Sequence, residues 1–230
     1  MKSSKTLVML PCLLLAGVTS LTAETASDRL QESALVLKEI LGAPDQGIPR
    51  GLLDDAHCIV IVPGMKTAAF LVGGKYGRGF AVCRREKRSG WGAPAAVRIE
   101  GGSFGFQIGA SETDVVMLIM NRRGMDKLLQ SRFTLGGAAE VAAGPVGRTS
   151  TAETDAALTA KILSWSRSRG VFAGVSLQGA TLRQDLDENE ELYGHRVTNK
   201  QIVMQRMRAP AAASEMLAVL NRHSRRESDD

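Results

Sequence analysis

A dense group of cations in the first half of the chain has the clearest chemical character in the sequence. Four cations occur within five positions, between a short apolar run and a glycine–tryptophan pair, a pattern that predicts a hairpin turn. These cations are Arg84, Arg85, Lys87 and Arg88. Because four like charges cannot all be buried without partners, they are either solvated or bound to an anion. Against an anionic bilayer, each would add about 1 kcal/mol of salt-sensitive attraction.

Other cations fall at predicted strand ends or at the junction before a short helix, where an anion could reach them. Ordinary solvated surface is the alternative interpretation for each one. Together with the dense group they make up the candidate lipid-binding residues, which are Lys66, Lys75, Arg78, Arg84, Arg85, Lys87, Arg88, Arg122 and Arg123.

Groups that could perform catalysis are few. The chain has three histidines, His57, His195 and His223, and it contains no nucleophile-elbow, HExxH or CxxC motif. Ser103 and Ser176 have glycines nearby, but neither lies in a GxSxG motif. We therefore expect neither an enzyme nor a cofactor.

Two segments resemble ligand loops only superficially. Gly73–Gly79 is glycine-rich, but it lacks the Gly-Lys-Ser/Thr signature and leads into a β-prone run rather than a helix. Thr181–Tyr193 carries five carboxylates without the alternation and central glycine of a calcium loop. We expect a twisted strand in the first case and a solvated acidic helix or loop in the second, with no metal.

Beyond the N-terminal segment the chain has two cysteines, Cys58 and Cys83, both in predicted strands. They could form a disulfide, which would stabilise the fold by about 3 kcal/mol through loop closure. Two separate buried thiols are the alternative, and the sequence leaves both open. Neither cysteine has a second ligand at zinc spacing.

The candidate cations and the two cysteines lie mainly in or beside short apolar runs separated by glycine. Such runs predict a glycine-rich antiparallel sheet. A longer run, Val115–Met120, predicts a central strand buried on both faces. Pro63 and Gly64 predict a turn between the first two strands. The five short runs are Cys58–Val62, Ala68–Val72, Gly79–Cys83, Ala95–Ile99 and Phe104–Ile108.

Helices are predicted at both ends of this sheet region. Ser27–Leu41 is amphipathic, and its apolar face either packs on the sheet or lies in a membrane interface. Gln201–Arg208 and Ser214–His223 predict a helical C-terminal extension, and a short helix is predicted over Met125–Gln130. The sequence thus predicts an α+β fold, a mainly antiparallel sheet or barrel-like sandwich covered by N- and C-terminal helices.

The N-terminal segment has the order of a secretory signal peptide. Lys2 and Lys5 precede the apolar run Leu7–Val18, and small residues follow up to Ala23. We predict a signal peptide over residues 1–23 and one domain over residues 24–230. Removing the segment lowers the net charge from +5 to +3, which is compatible with an anionic surface. The sequence has no basic run interleaved with aromatic residues, so it gives no indication of nucleic-acid binding.

Seven ordered motifs resemble the SYLF domain family over roughly Ser27–Gly194. The resemblance implies lipid binding, and it favours a strand over Lys161–Ser168 paired with Val171–Gln178. Some fungal members of the family regulate actin. The motifs are GGKYGRGF, SGWGAPA, GGSFGFQIGA, TDVVMLIMN, TLGG, AAGPVGR and SRGVFAGVSLQG.

Taken together, these features predict an exported, non-enzymatic lipid-binding protein. It would be periplasmic or secreted, peripherally membrane-associated, and would contact anionic phospholipid head groups through its basic loops. The alternative is an envelope structural or protein-interaction module without direct lipid binding. The expected partners are an anionic membrane surface and an envelope protein, and export argues against actin and nucleic acid.

Overall fold

The computed structural model describes residues 24–43, 47–70, 72–85, 90–104, 109–136, 141–144, 161–168, 171–174, 177 and 179–224. The predicted signal peptide and the loop residues Lys87 and Arg88 lie outside these ranges. So do most of the predicted strand Phe104–Ile108 and the last part of Val171–Gln178.

The described residues form a mainly antiparallel sheet with helices from both ends of the chain, so the predicted α+β class is confirmed. Nine strands pair in the order β5-β9-β3-β2-β1-β4-β7-β6, with β8 beside β6 on β7. Among the described strands, only the β6–β7 pair is parallel. The strands are β1 Cys58–Phe70, β2 Val72–Cys83, β3 Ala95–Phe104, β4 Gly109–Ile119, β5 Arg132–Thr134, β6 Val141–Ala143, β7 Ile162–Ser168, β8 Val171–Gly174 and β9 Thr181–Gln184.

Six α-helices accompany these strands in the described ranges, and a short 3₁₀ turn, Ala211–Ala213, precedes the last one. No helix among the described residues is long and apolar enough to cross a membrane. The helices are α1 Ala26–Gly42, α2 Arg50–Asp55, α3 Arg122–Leu128, α4 Leu186–Tyr193, α5 Asn199–Met204 and α6 Ser214–His223.

The predicted turn at Pro63 and Gly64 is wrong, because β1 runs straight through these residues. The pairing of β1 with β4 shifts register between Val62 and Met65, which identifies a β-bulge. Gly64 has a φ of 54°, a conformation that glycine adopts at little cost. The bulge therefore joins two predicted strands into one that is 13 residues long.

Alternating side chains of the central strands fill two cores, one on each side of the sheet. On one side, Ile61, Phe80 and Trp165 pack against α1 and α6. On the other, Val60 and Met117 pack with residues of α3 and of the β5–β9 edge. The sheet centre is therefore buried on both faces, as predicted for Val115–Met120.

Helix α1 begins with a capping box, in which the Thr25 hydroxyl accepts from the Asp28 amide and the Asp28 carboxylate accepts from the Thr25 amide. Leu30, Leu37 and Ile40 on its apolar face are completely buried in the helix-side core. Of the two alternatives for this helix, the structure shows packing on the sheet.

The structure also decides between a disulfide and two thiols. Cys58 and Cys83 face each other directly across β1 and β2, with their Cα atoms 4.0 Å apart, and they form a disulfide. The bond lies in the core opposite the long helices. It joins the first residue of β1 to the last residue of β2.

Candidate protein-interaction site

Seven of the nine predicted anion contacts lie among the described residues, and the structure separates these seven instead of gathering them into one patch. Arg84 is held within the fold: its Nε donates to the Ala56 carbonyl at 3.0 Å, and its Nη2 donates to the Leu53 carbonyl at 2.9 Å. The guanidinium also lies 4.4 Å from the centre of the Trp91 ring. These contacts fasten α2 to the end of β2, which gives Arg84 a structural role.

Arg78 is likewise committed to internal ion pairs. Its Nε lies 2.8 Å from an Asp185 oxygen and 3.0 Å from a Glu188 oxygen. Arg29 of α1 also pairs with Glu188 and, at 2.7 Å, with Glu24. Burial raises the pKa of Glu188, and the Arg29 and Arg78 guanidiniums offset part of this effect.

The acidic segment is therefore only partly the solvated helix or loop that the sequence predicts. Asp185 is the N-cap of α4 and accepts from the Glu188 amide. Both residues are 1% exposed, and each has an arginine counterion: Asp185 pairs with the half-buried Arg78, and Glu188 pairs with Arg78 and with the buried Arg29. Among the residues that the structure describes, no cluster of His, Cys, Asp or Glu could hold a metal ion.

One exposed surface does include a predicted contact residue. Past the bulge of β1, the paired ends of β1, β2 and β4 are exposed on the helix-side face of the sheet, and we call this region the sheet-end surface. Lys66 lies directly opposite both Tyr76 and Glu112, while small residues occupy the neighbouring pair positions. Tyr76 is 49% exposed. The surface consists of Lys66, Ala68, Gly74, Tyr76, Ala110 and Glu112, which are all exposed.

The remaining described candidates lie elsewhere. Lys75 is next to Tyr76 but projects from the opposite face of the sheet, because successive strand residues alternate. Arg122 and Arg123 are exposed in the first turn of α3, where Arg122 lies 3.7 Å from Asp126. Glu112, which lies opposite Lys66, and Ile119, the last residue of β4, are seven residues apart along the strand. About 23 Å of strand therefore separates the two arginines from Lys66. Arg85 is exposed near the other end of β2.

Arg85 borders a pocket that sequence reasoning missed, which we call the methionine pocket. Its cavity of about 60 Å³ lies where the end of β2 and the segment just before β3 approach α3 and α5. Because its walls come from four separate elements, no local sequence pattern indicates it. The apolar lining includes Cys83, Ala93, Met125, Ile202, Val203, Met204 and Met207, and Arg85 and Arg206 also line it.

A second concavity, a groove of about 510 Å³, lies between α1 and the bulge of β1. Asp114 accepts from the Gly64 amide at 2.9 Å and from Arg167 Nε at 2.7 Å. Burial raises the pKa of Asp114, and the hydrogen bond from Gly64 opposes this effect. Glu32 and Glu39 also line the groove. Asp114 thus fixes the bulge by joining it to β7.

Comparison with known proteins identifies the class of protein to which this fold belongs. The family described as "Ysc84: Las17-binding protein actin regulator" matches residues 100–223. The match covers more than half of the chain, which therefore belongs to the Ysc84 family. The resemblance to the SYLF domain is confirmed.

Individual relatives extend the similarity beyond the segment that defines the family. "SH3 domain-containing protein PJ696.02" of Schizosaccharomyces pombe is 36% identical over 80% of this chain and 43% of its own length. "Protein YSC84" of Saccharomyces cerevisiae is 32% identical over 89% of this chain and 45% of its own. Human "SH3 domain-containing YSC84-like protein 1" is 30% identical over 83% and 57%. The chain spans about half the length of the curated relatives it matches.

These comparisons overturn the predicted exported, periplasmic or secreted lipid-binding protein. The family is described by Las17 binding and actin regulation, and its matched relatives are yeast and mammalian proteins. The argument against actin as a partner is wrong for the same reason, since it depended on the predicted export. The N-terminal apolar run was a weak ground for export, and the basic loops were a weak ground for membrane contact, because apolar segments and solvated cations occur in many classes of protein.

Proposed function

We propose that this chain is a non-enzymatic protein-interaction module that works in actin regulation by binding a protein of the actin machinery. The observation that carries the proposal is its membership of a family described as Las17-binding actin regulators. The relatives named for Las17 binding share 33% identity with this chain over 87% of its length. Because they are about twice as long as the matched region, the assignment of binding to this region is part of the proposal.

The described residues support the non-enzymatic part of the proposal. The ring Nδ1 of His195 contacts the Tyr193 carbonyl at 2.9 Å, and that of His223 contacts the Val219 carbonyl at 3.0 Å. A ring nitrogen of each of these two histidines therefore contacts a nearby backbone carbonyl. The third, His57, lies next to the start of β1.

The sheet-end surface is the contact surface that we assign to this function. A tyrosine combines an apolar ring with a hydroxyl, and exposed tyrosines are frequent at the energetic centres of protein interfaces. The side chains of Ala68, Gly74 and Ala110 are small or absent, so a partner can approach the sheet backbone closely beside Tyr76. Lys66 and Glu112 provide one charge of each sign at its border, which favours a defined orientation of the partner.

The test is binding of the full chain to purified actin filaments by co-sedimentation, with binding to purified Las17 measured separately. We expect saturable binding to at least one of these two partners, actin filaments or Las17. Tyr76→Ala and Lys66→Glu should each weaken it about tenfold, the usual scale of an interface hot spot. Lys200→Glu, at an exposed position of α5, is the matched control and should bind like the unmodified chain.

Absence of saturable binding to both filaments and Las17 would overturn the proposed function. Binding that is unchanged in Tyr76→Ala and Lys66→Glu would retain the function but remove the sheet-end surface from it. Circular dichroism of each variant establishes that the fold is intact before binding is compared.

A further inference from the structure

The methionine pocket has an apolar interior that is accessible from solvent. Cys83, Ala93, Met125 and Ile202 are buried in its lining, each less than one tenth exposed. Met204, by contrast, is 41% exposed. Methionine side chains are flexible and polarisable, so a pocket lined by them adapts to apolar groups of different shape.

The size of the pocket limits what can enter it. A cavity needs about 10–15 Å³ to hold one water molecule, measured as the volume open to its centre. At about 60 Å³, this pocket has room for a few waters, or for one aliphatic, thioether or aromatic side chain. It is too small for a cofactor, and its size matches the single anchor residue of a bound peptide.

The wall formed by Arg206 has an unusual backbone. Arg206 has a φ of 53° and is the one non-glycine residue with a positive φ in the described part of the chain. It follows the C-cap of α5, and the Met207 amide donates to the Ile202 carbonyl at 3.1 Å, as in a Schellman motif. Glycine is the residue usually found there. An arginine in this conformation is strained, and such strain is concentrated at ligand-binding sites.

The charge around the pocket indicates the chemistry of its occupant. Arg85 and Arg206 are exposed, and neither forms an ion pair with any residue in the described ranges. Two guanidiniums beside an apolar cavity complement an apolar side chain flanked by carboxylates. The N-terminal apolar segment of this chain does not fit, because its only charges are those of Lys2 and Lys5.

We propose that the methionine pocket binds an acidic peptide segment of a partner protein, with one Leu, Met or Phe side chain inserted between α5, the end of β2 and the segment just before β3. Carboxylates beside this anchor pair with Arg85 and Arg206. The site is separate from the sheet-end surface. Tyr76 and Cys83 are seven residues apart along β2, a distance of about 23 Å.

The test uses short fluorescein-labelled peptides with Asp and Glu on both sides of a single Leu, Met or Phe. One control set replaces the central residue by Ser, and another replaces the acidic flanks by Lys. Fluorescence anisotropy measures affinity for the full chain, and the methyl NMR signals of Met125, Met204 and Met207 report entry into the pocket. We expect at least one acidic peptide to bind saturably, to shift these signals and to weaken with salt.

Three variants locate the binding. Arg206→Gly removes one guanidinium at a position that suits glycine, and Met204→Glu places a carboxylate on an exposed wall, so both should fold and bind about tenfold more weakly. Arg222→Gln changes an exposed arginine of α6, which packs against the opposite face of the sheet, and should bind normally.

No saturable binding by any acidic peptide up to about 1 mM, the limit of weak association, would overturn the proposal. Equal binding of the Ser-centred peptide, or unchanged binding by Arg206→Gly, would also overturn it, because the anchor or the guanidinium would then have no role. Filament and Las17 binding are measured separately, so this result and the proposed function can fail independently.

Discussion

Arg78 Nε donates to the carboxylate of Asp185 at 2.8 Å and thereby joins the middle of β2 to the N-cap of α4. The two residues are 107 positions apart in the sequence. A second carboxylate, Glu188, lies 3.0 Å from the same nitrogen and also pairs with Arg29 of α1. Arg78 and Glu188 together therefore link three elements of the fold, β2, α4 and α1.

Replacing Arg78 by alanine should lower the free energy of unfolding by about 2 kcal/mol, because two buried carboxylates lose a counterion. The side chain is 30% exposed, so solvent screening keeps the loss below the full value for a buried pair. Urea denaturation measures the change. Lys75→Ala on the same strand is the control, with an expected change within about 0.5 kcal/mol. Equal stabilities of the two variants would show that Arg78 does not support the fold.

Arg206→Gly should raise the free energy of unfolding by about 0.5–1 kcal/mol. Relief of the left-handed backbone strain exceeds the extra entropy that glycine gives the unfolded chain. Urea denaturation compares this variant with Arg208→Gly, a nearby arginine that does not have a positive φ and whose replacement should not stabilise. If Arg206→Gly is stabilised while it loses peptide affinity, the arginine is retained for binding. A loss of stability would contradict the strained conformation.

Removal of the disulfide through Cys58→Ala and Cys83→Ala together should lower the free energy of unfolding by about 3 kcal/mol, because the two cysteines are 25 positions apart and the loop between them is no longer closed. Thermal unfolding with and without dithiothreitol checks the same point. The reductant should destabilise the unmodified chain and leave the double variant unchanged. An equal response of both proteins to the reductant would contradict a role for the disulfide.

The capping box of α1 should make stability depend on pH in the acid range. Hydrogen bonds from the Thr25 hydroxyl and amide lower the pKa of Asp28 below its usual 3.8. The stabilisation is therefore complete above that value and is lost as the pH falls through the lower pKa of the folded state. In the Asp28→Asn variant, the asparagine side chain does not titrate, so this source of pH dependence is removed. The urea midpoints of the unmodified chain and the variant should differ most above pH 3.8 and should converge as the pH falls through the lower folded-state pKa of Asp28.

A parallel shift of both midpoints across this pH range would contradict the assignment. Thr25→Val tests the cause, because it removes the hydroxyl that contributes most to the lowered pKa. Its stability should depend less on pH than that of the unmodified chain.

The predicted elements agree with the structure where local pattern decides. The four- and three-residue spacing of Leu30, Leu37 and neighbouring residues predicts α1, and the continuous apolar run predicts the second half of β4. Strand β7 and its pairing with β8 agree with the family resemblance, and Trp165 of β7 is completely buried. The bulge at Gly64 was missed, because proline followed by glycine suits a turn as well as a bulge.

Charged residues were harder to assign from sequence. Arg84, Arg78 and Lys66 have the same kind of local context, a cation near the end of a β-prone run. In the structure, the first contacts carbonyls and Trp91, the second pairs with buried carboxylates, and the third is exposed. Charge alone does not separate these outcomes, because the partners come from distant parts of the chain.

The sequence by itself determined the α+β class, the positions of the main helices and strands, and the family, because these depend on local periodicity and on ordered motifs. Only the tertiary structure decided that Cys58 and Cys83 pair, that Asp185 and Glu188 are counterions, and that the methionine pocket exists. Each of these features requires residues far apart in sequence to meet. Their meeting depends on strand order and register, which short-range patterns do not encode.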